Sequence, residues 1–275
     1  MGLWSAIGFL TILPAGSRRT SQGAGLASAR GWFPAVGLLI GTALAVLEVS
    51  FRWIHTLVSP GGPMAATAQV LLGAVVATAL VIMTRALHLD GFMDTCDALL
   101  GGTNPGHRRR ILKDPHVGAF AVAGAGCLIL TKTAAISALP WQSRPWTLIL
   151  VPCLSRGAML LVMEWFPYVG GDGLGSRFLR NRGRGQMVFG LTVTGVAGLV
   201  LVGPWSLAML ALAAMVGWSV GAWATRLMGG VTGDVYGAVN EVVEAAALLF
   251  AALVTARTPA ALATPLLMFS QSGAS

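Results

Sequence analysis

Residues 65–87 read AATAQVLLGAVVATALVIMTRAL and are followed at 88–97 by HLDGFMDTCD. The first part is an apolar run close to the ~20 residues an α-helix needs to cross a bilayer. The second part places three carboxylates, Asp90, Asp94 and Asp97, directly at its end. A membrane helix that delivers a cluster of acids to one face of the bilayer decides both the fold class and where chemistry is to be sought.

Runs of the same kind recur along most of the chain. Hydropathy predicts spans at 34–51, 65–87, 117–138, 146–165, 187–203, 206–226 and 241–256, with 259–269 a candidate eighth. Composition agrees: 55% of the 275 residues are hydrophobic and 10% charged, and mean hydropathy is +0.75, whereas soluble domains carry about 25% charged residues. The predicted fold is all-α, a polytopic transmembrane helical bundle of about seven spans forming one integral membrane domain over 1–275. The stretch 1–14 is apolar, no basic residue precedes it, and Arg18 and Arg19 follow it. That order argues against a cleaved signal peptide, and the length suits an interfacial or re-entrant helix. Cys96, Cys127 and Cys153 are far apart, so neither a disulfide framework nor a CxxC metal site is indicated.

Charge sets the orientation. The segments 14–31, 88–116, 166–186 and 227–240, with Arg226, carry Arg18, Arg19, Arg30, Arg108, Arg109, Arg110, Lys113, Arg177, Arg180, Arg182 and Arg184, against Arg52, Arg144 and Arg257 on the other side. Short translocated loops avoid Lys and Arg, so the first group is predicted to face the cytoplasm, across an inner (cytoplasmic) membrane. Membrane insertion also accounts for the net charge of +8 without a nucleic-acid partner.

All acids except Glu48 lie in or beside the same segments. At spacings of i, i+4 and i+7, Asp90, Asp94 and Asp97 share a helix face, and three like charges so close call for a hard cation such as Mg2+, or else form a solvated helix end. Gly230-Val231-Thr232-Gly233-Asp234, with Glu241 and Glu244 further on, repeats the spacing behind glycines that let backbone amides approach a phosphate. Arg108 to Arg110 and Lys113 read equally as topogenic charges or as a phosphate clamp. Lys132 and Arg156 lie inside predicted spans, where charges face a polar cavity or a carboxylate. Arg156 is the better functional candidate. His88 could orient a metal ligand, act as a base, or be structural. Carboxylates for a metal and cations for phosphates, at a membrane face, suggest phosphoryl transfer.

The chain resembles the cobalamin synthase family, also called adenosylcobinamide-GDP ribazoletransferases. The resemblance runs from Phe9-Leu10-Thr11-Ile12-Leu13-Pro14 and Phe33-Pro34-Ala35-Val36-Gly37 through His88-Leu89-Asp90-Gly91, Asp94-Thr95 and Asp97. It continues through Ile111-Leu112-Lys113-Asp114, Val117-Gly118-Ala119-Phe120, Ser155-Arg156-Gly157 and Gly173-Leu174-Gly175 to Gly230-Val231-Thr232-Gly233-Asp234. Ala98 departs from the glycine expected after Asp97. The resemblance implies that a hydroxyl of α-ribazole, or of its 5'-phosphate, attacks the corrinoid-linked phosphorus of adenosylcobinamide-GDP and releases GMP. The roles it suggests are Asp90, Asp94 and Asp234 as Mg2+ ligands, Asp97 or Glu241 as ligand or base, His88 beside them, and Arg110, Lys113, Arg156, Gly230 and Gly233 toward the phosphates. Lipid surrounds such a protein, and self-association stays open.

Two other readings fit less well. A CDP-alcohol phosphotransferase would need an Asp at Leu87, Ala-Arg at Met93-Asp94, and a later Asp-x-x-x-Asp, none of which stands here. A transporter would be expected to show duplicated halves, and no such duplication is evident.

Overall fold

The computed structural model describes residues 2–15, 28–60, 64–171, 176, 178, 183–258 and 261–262. A short helix α1 (Gly2–Leu10) is followed by a 3-10 turn (Arg30–Trp32) that leads into α2 (Phe33–Val58) and then α3 (Ala66–Met83). Next come α4 (Leu87–Cys96), a π-helical turn (Asp97–Gly101), α5 (Pro105–Ile111), α6 (Ala119–Ala138) and α7 (Arg144–Trp165). The chain continues through α8 (Arg184–Val202), α9 (Trp205–Met228) and α10 (Gly233–Arg257). Seven of these helices, α2, α3 and α6 to α10, are long and apolar enough to cross a membrane. The fold is the all-α transmembrane bundle read from the sequence.

Burial separates the interior helices from the lipid-facing ones. The most apolar stretch of α7 is 83% buried and that of α10 is 61%, whereas α3, α6, α8 and α9 bury between 22% and 33%. Leu130, Leu207, Met215 and Leu253 point outward from the spans, which only an apolar solvent tolerates on this scale. Helix α7 packs against α2, α8, α9 and α10. Its contact with α2 depends on Gly37 and Gly41, one turn apart. A Cβ at Gly37 would stand 2.7 Å from Cys153 Cα, and one at Gly41 would stand 2.6 Å from Ile149 Cα. Backbones in lipid gain from such close approach because water is not there to drive association. Pro152 lies at the same crossing. It has no N–H to offer Leu148, whose carbonyl lies against Gly41.

Three boundaries differ from the sequence reading, each for a physical reason. Helix α2 runs past 51 to Val58 because Arg52, which ends the apolar run, turns back to the buried Glu48 one turn earlier, at 2.9 Å. Arg144 closes on the same carboxylate from α7 at 3.6 Å. The predicted span 65–87 stops at Met83: Arg85 and Ala86 adopt left-handed conformations, φ 53° and 56°, and start α4 in a new direction. Arg85 donates to the Gly8 carbonyl at 3.0 Å, so this turn also holds the end of α1, which is too short to span. Helix α10 begins at Gly233 rather than 241, because Thr232 caps it there and the turns holding Asp234 and Asn240 are helical though too polar to count in an apolar window. The candidate span 259–269 falls almost wholly outside the described residues.

Chain alternation puts 84–118, 166–171 and 229–232 at one end of the bundle. There, Val169 N–H donates to the Val231 carbonyl at 2.9 Å and Val231 N–H donates to Pro167 at 2.8 Å, joining two of the loops. The buried Arg30 pairs with Glu164.

If the α2–α7 contact is as tight as this geometry requires, Gly37→Val and Gly41→Val are each expected to destabilise the protein by about 1–3 kcal/mol or more through overpacking. Gly126→Val, where no atom lies within 4 Å of the added Cβ, is expected to change stability by less than about 0.5 kcal/mol. Thermal unfolding in detergent measures both; equal losses at all three sites would contradict the close contact.

Candidate active site

Two short sequence features build the acidic end. After the left-handed turn, α4 opens with Asp90 in its first turn, where the positive end of the helix dipole favours a carboxylate, and Asp94 follows one turn later. Helix α10 is capped by Thr232, whose Oγ1 accepts from Val235 N–H at 3.4 Å and donates to Asp234 Oδ2 at 3.2 Å. The two helices cross where neither carries a side chain. A Cβ on Gly91 would lie 3.0 Å from Asp234 Cα, and one on Gly237 would lie 3.2 Å from Gly91 Cα. Asp90 and Asp234 consequently line one cavity of about 490 Å3, together with His88, Arg109, Lys113, Thr232 and Gly233.

The electrostatics of the carboxylates are unbalanced. Asp94 is pushed up to about 6, first by burial and then by Asp90, Asp234 and Asp97. Among the described residues no Lys or Arg lies within salt-bridge distance of Asp90, Asp94 or Asp234. Hard oxygen donors that repel one another, beside cations able to hold phosphate, fit a divalent ion shared with a phosphorylated ligand. Even so, among the described residues no three His, Cys, Asp or Glu side chains converge closely enough to hold a metal by themselves. The protein thus offers part of a coordination shell.

Asp97 shares the face of Asp90 and Asp94 in sequence but has other work. Its oxygens accept from Gly118 N–H at 2.7 Å and Ala121 N–H at 2.9 Å, which caps α6 and keeps it out of the cavity lining. Glu241 and Arg156 are likewise withdrawn. Lys132 Nζ lies 2.7 Å from Glu241 Oε2 and 2.6 Å from Glu244 Oε2. Arg156 pairs with Glu244 Oε1, which also accepts from Ser155 at 3.2 Å and Asn240 at 3.1 Å. Two cations and two anions inside the bundle pair with one another, and neither Arg156 nor Glu241 lines the cavity.

His88 links this cluster to the cavity. Arg156 Nη2 stands 3.4 Å from His88 Nδ1, and a guanidinium can only donate, so Nδ1 accepts and the ring proton sits on Nε2. Burial, then Arg156, lowers the affinity of the ring for a second proton. His88 therefore presents an N–H donor, in place of the base considered from sequence, and among the described residues Nε2 has no hydrogen-bond partner.

On the cationic side, Arg109, Leu112 and Lys113 stand at i, i+3 and i+4 and line the cavity, while Arg110 is turned away into solvent. The helical spacing from Lys113 was the signal that could have selected Arg109. Gly233 lines the cavity, but Gly230 packs against Pro167 and Val169. Phe9, Phe33, Phe178, Tyr168 and Tyr236 complete the lining; only the fold brings them together. Arg18, Arg19, Asp172, the 173–175 motif, Arg177, Arg180 and Arg182 lie outside the described residues.

The sequence profile of the cobalamin-5-phosphate synthase family matches residues 2–252. An adenosylcobinamide-GDP ribazoletransferase of Syntrophobacter fumaroxidans is 36% identical over 258 residues, covering 91% of this chain and 99% of that protein. Proteins of the same name from a Synechococcus strain and from Pseudomonas fluorescens are 35% and 36% identical, covering 88% and 91% of the chain and 94% and 98% of their own lengths. No solved structure matches the chain.

The raised pKa of Asp94 has a defined sign. Ionising this carboxyl is harder in the folded state than in the unfolded one, so its contribution to stability is fully present below its ordinary value and is lost as pH rises through about 6. In metal-free buffer, Asp94→Asn is expected to melt higher than wild type at pH 8, the gap closing toward pH 4. A variant that melts lower at pH 8 would show that the carboxylate makes a stabilising contact instead.

Proposed function

The chain belongs to the cobalamin-5-phosphate synthase family, and from that premise we propose that it joins adenosylcobinamide-GDP to α-ribazole, or to α-ribazole 5'-phosphate. A hydroxyl of the nucleoside forms a bond to the corrinoid-linked phosphorus as the bond to GMP breaks. The hydroxyl proton passes to a carboxylate of the cavity, and the product is adenosylcobalamin or its 5'-phosphate. The observation that carries this reading is that one cavity is lined by Asp90, Asp234, Arg109 and Lys113 together.

Arg109 and Lys113 hold the pyrophosphate oxygens, Arg through its planar fork and Lys as a mobile point charge. The Nε2–H of His88 donates to a phosphoryl oxygen, and Gly233 lets the chain come close to that group. Asp90 and Asp234 in the cavity, with Asp94 one turn from Asp90, would hold Mg2+ together with the substrate phosphates, and the ion would screen charge on those phosphates and on the departing GMP. With phosphoryl transfer, positioning and charge neutralisation are most of what a protein supplies. The acidic end faces the cytoplasm of an inner-membrane protein, because Arg85, Arg108, Arg109, Arg110, Lys113 and Arg226 lie there against Arg52, Arg144 and Arg257 at the other end.

Purified protein given adenosylcobinamide-GDP, α-ribazole and Mg2+ is expected to release GMP and a completed corrinoid in equal amounts. Chelation is expected to stop the reaction and added Mg2+ to restore it. Absence of product in the complete mixture would contradict the reaction, and undiminished turnover in chelator would contradict the metal.

A further inference from the structure

We propose that the cavity is divided between two tasks: its aromatic wall holds the base of the nucleoside acceptor, while the corrinoid donor brings only its pyrophosphate to the rim. This deepens the ribazoletransferase reading and rests on it.

The wall presents the half-buried Phe9, backed by the fully buried Phe33 and Phe178. Phe9 and Phe178 have centroids 4.7 Å apart, Phe33 and Phe178 are 5.3 Å apart, and Phe9 and Phe33 are 6.3 Å apart. Leu87 and Leu112 extend this apolar lining, with Met159 behind it. The charged groups Asp90, Arg109 and Lys113 are exposed at the rim. A ligand that fills the cavity must therefore be flat and apolar at one end and polar at the other, as a nucleoside is.

Chemistry selects which nucleoside. Guanine has a carbonyl, a ring N–H and an amine along its edge, and each loses hydrogen bonds to water on entering a site without partners. The phenyl, leucine and methionine side chains of this wall provide none; the hydrogen-bonding groups of the lining, His88, Tyr168, Thr232, Asp234 and Tyr236, belong to α4, to α10 with its cap, and to the 166–171 loop. A base with a hydrocarbon-rich edge loses nothing there and gains the contact with the rings. Size points the same way, since about 490 Å3 suits a small ligand, whereas a corrin macrocycle with its side chains and nucleotide is several times larger. Helix α5 serves both tasks at once, as Leu112 meets the base and its neighbour Lys113 meets the phosphates.

Leu112→Trp fills the wall, and it is expected to raise the KM for α-ribazole about tenfold or more while the KM for adenosylcobinamide-GDP stays within about twofold. Equilibrium binding of α-ribazole alone to the detergent-solubilised protein is expected to weaken by the same factor, and binding of GMP to stay unchanged. Phe9→Ala, which widens the wall, is expected to admit acceptors with bulkier bases. If Leu112→Trp is not recovered folded, the wild-type enzyme decides: adding a carbonyl and an N–H to the base edge is expected to raise KM about tenfold or more. A selective rise in the KM of the GDP donor, or equal affinity for polar-edged and apolar-edged acceptors, would overturn the assignment. A wild-type enzyme that forms no joined product would instead overturn the reaction on which it rests.

Discussion

No side chain fits where α4 crosses α10. Gly91 and Gly237 let the two backbones meet, and everything functional at the acidic end follows from that approach. A methyl group on either glycine would push Asp90 and Asp234 apart. With hydrogen at both positions, carboxylates more than 140 residues apart in sequence line one cavity. Burial first, and then their charge, pushes the carboxyl of neighbouring Asp94 up to about 6. A site that disfavours its own ionised state without a counter-ion is prepared to bind a cation.

Such a site needs a rigid base, and the ion cluster beneath it supplies one. Glu244 is completely buried and accepts from Lys132 on α6, Arg156 and Ser155 on α7, and Asn240 on its own helix. Unpaired, any of these charges would be forbidden at membrane depth. Paired, they lock three helices in register, because removing one member strands another at a cost of about 3–5 kcal/mol. Through Arg156 the cluster also sets the tautomer of His88, so the same interactions that stabilise the bundle orient a donor toward the cavity.

The number of spans could be read from hydropathy because lipid imposes a minimum apolar length. The ends were harder to read wherever polar groups belong to the bundle: Arg52 with Glu48 prolonged α2, and the Thr232 cap starts α10 about two turns before its apolar run. Asp90, Asp94 and Asp234 were visible as spacing and as motif. The withdrawal of Asp97, Glu241 and Arg156 was not, because it depends on partners 21 to 109 residues away. Arg109 rather than Arg110 lines the cavity because it stands one helical turn from Lys113. The phenyl triad left no local trace, since its members come from α1, α2 and position 178, ahead of α8.

The central claim is that α4 and α10 place their carboxylates in one functional unit. A double-mutant cycle on kcat/KM at fixed Mg2+ tests it most directly, using Asp90→Asn, Asp234→Asn and the pair. Coupled carboxylates predict strong non-additivity, with the double variant scarcely slower than the worse single variant. Losses that multiply, as they do for independent sites, would contradict the shared unit.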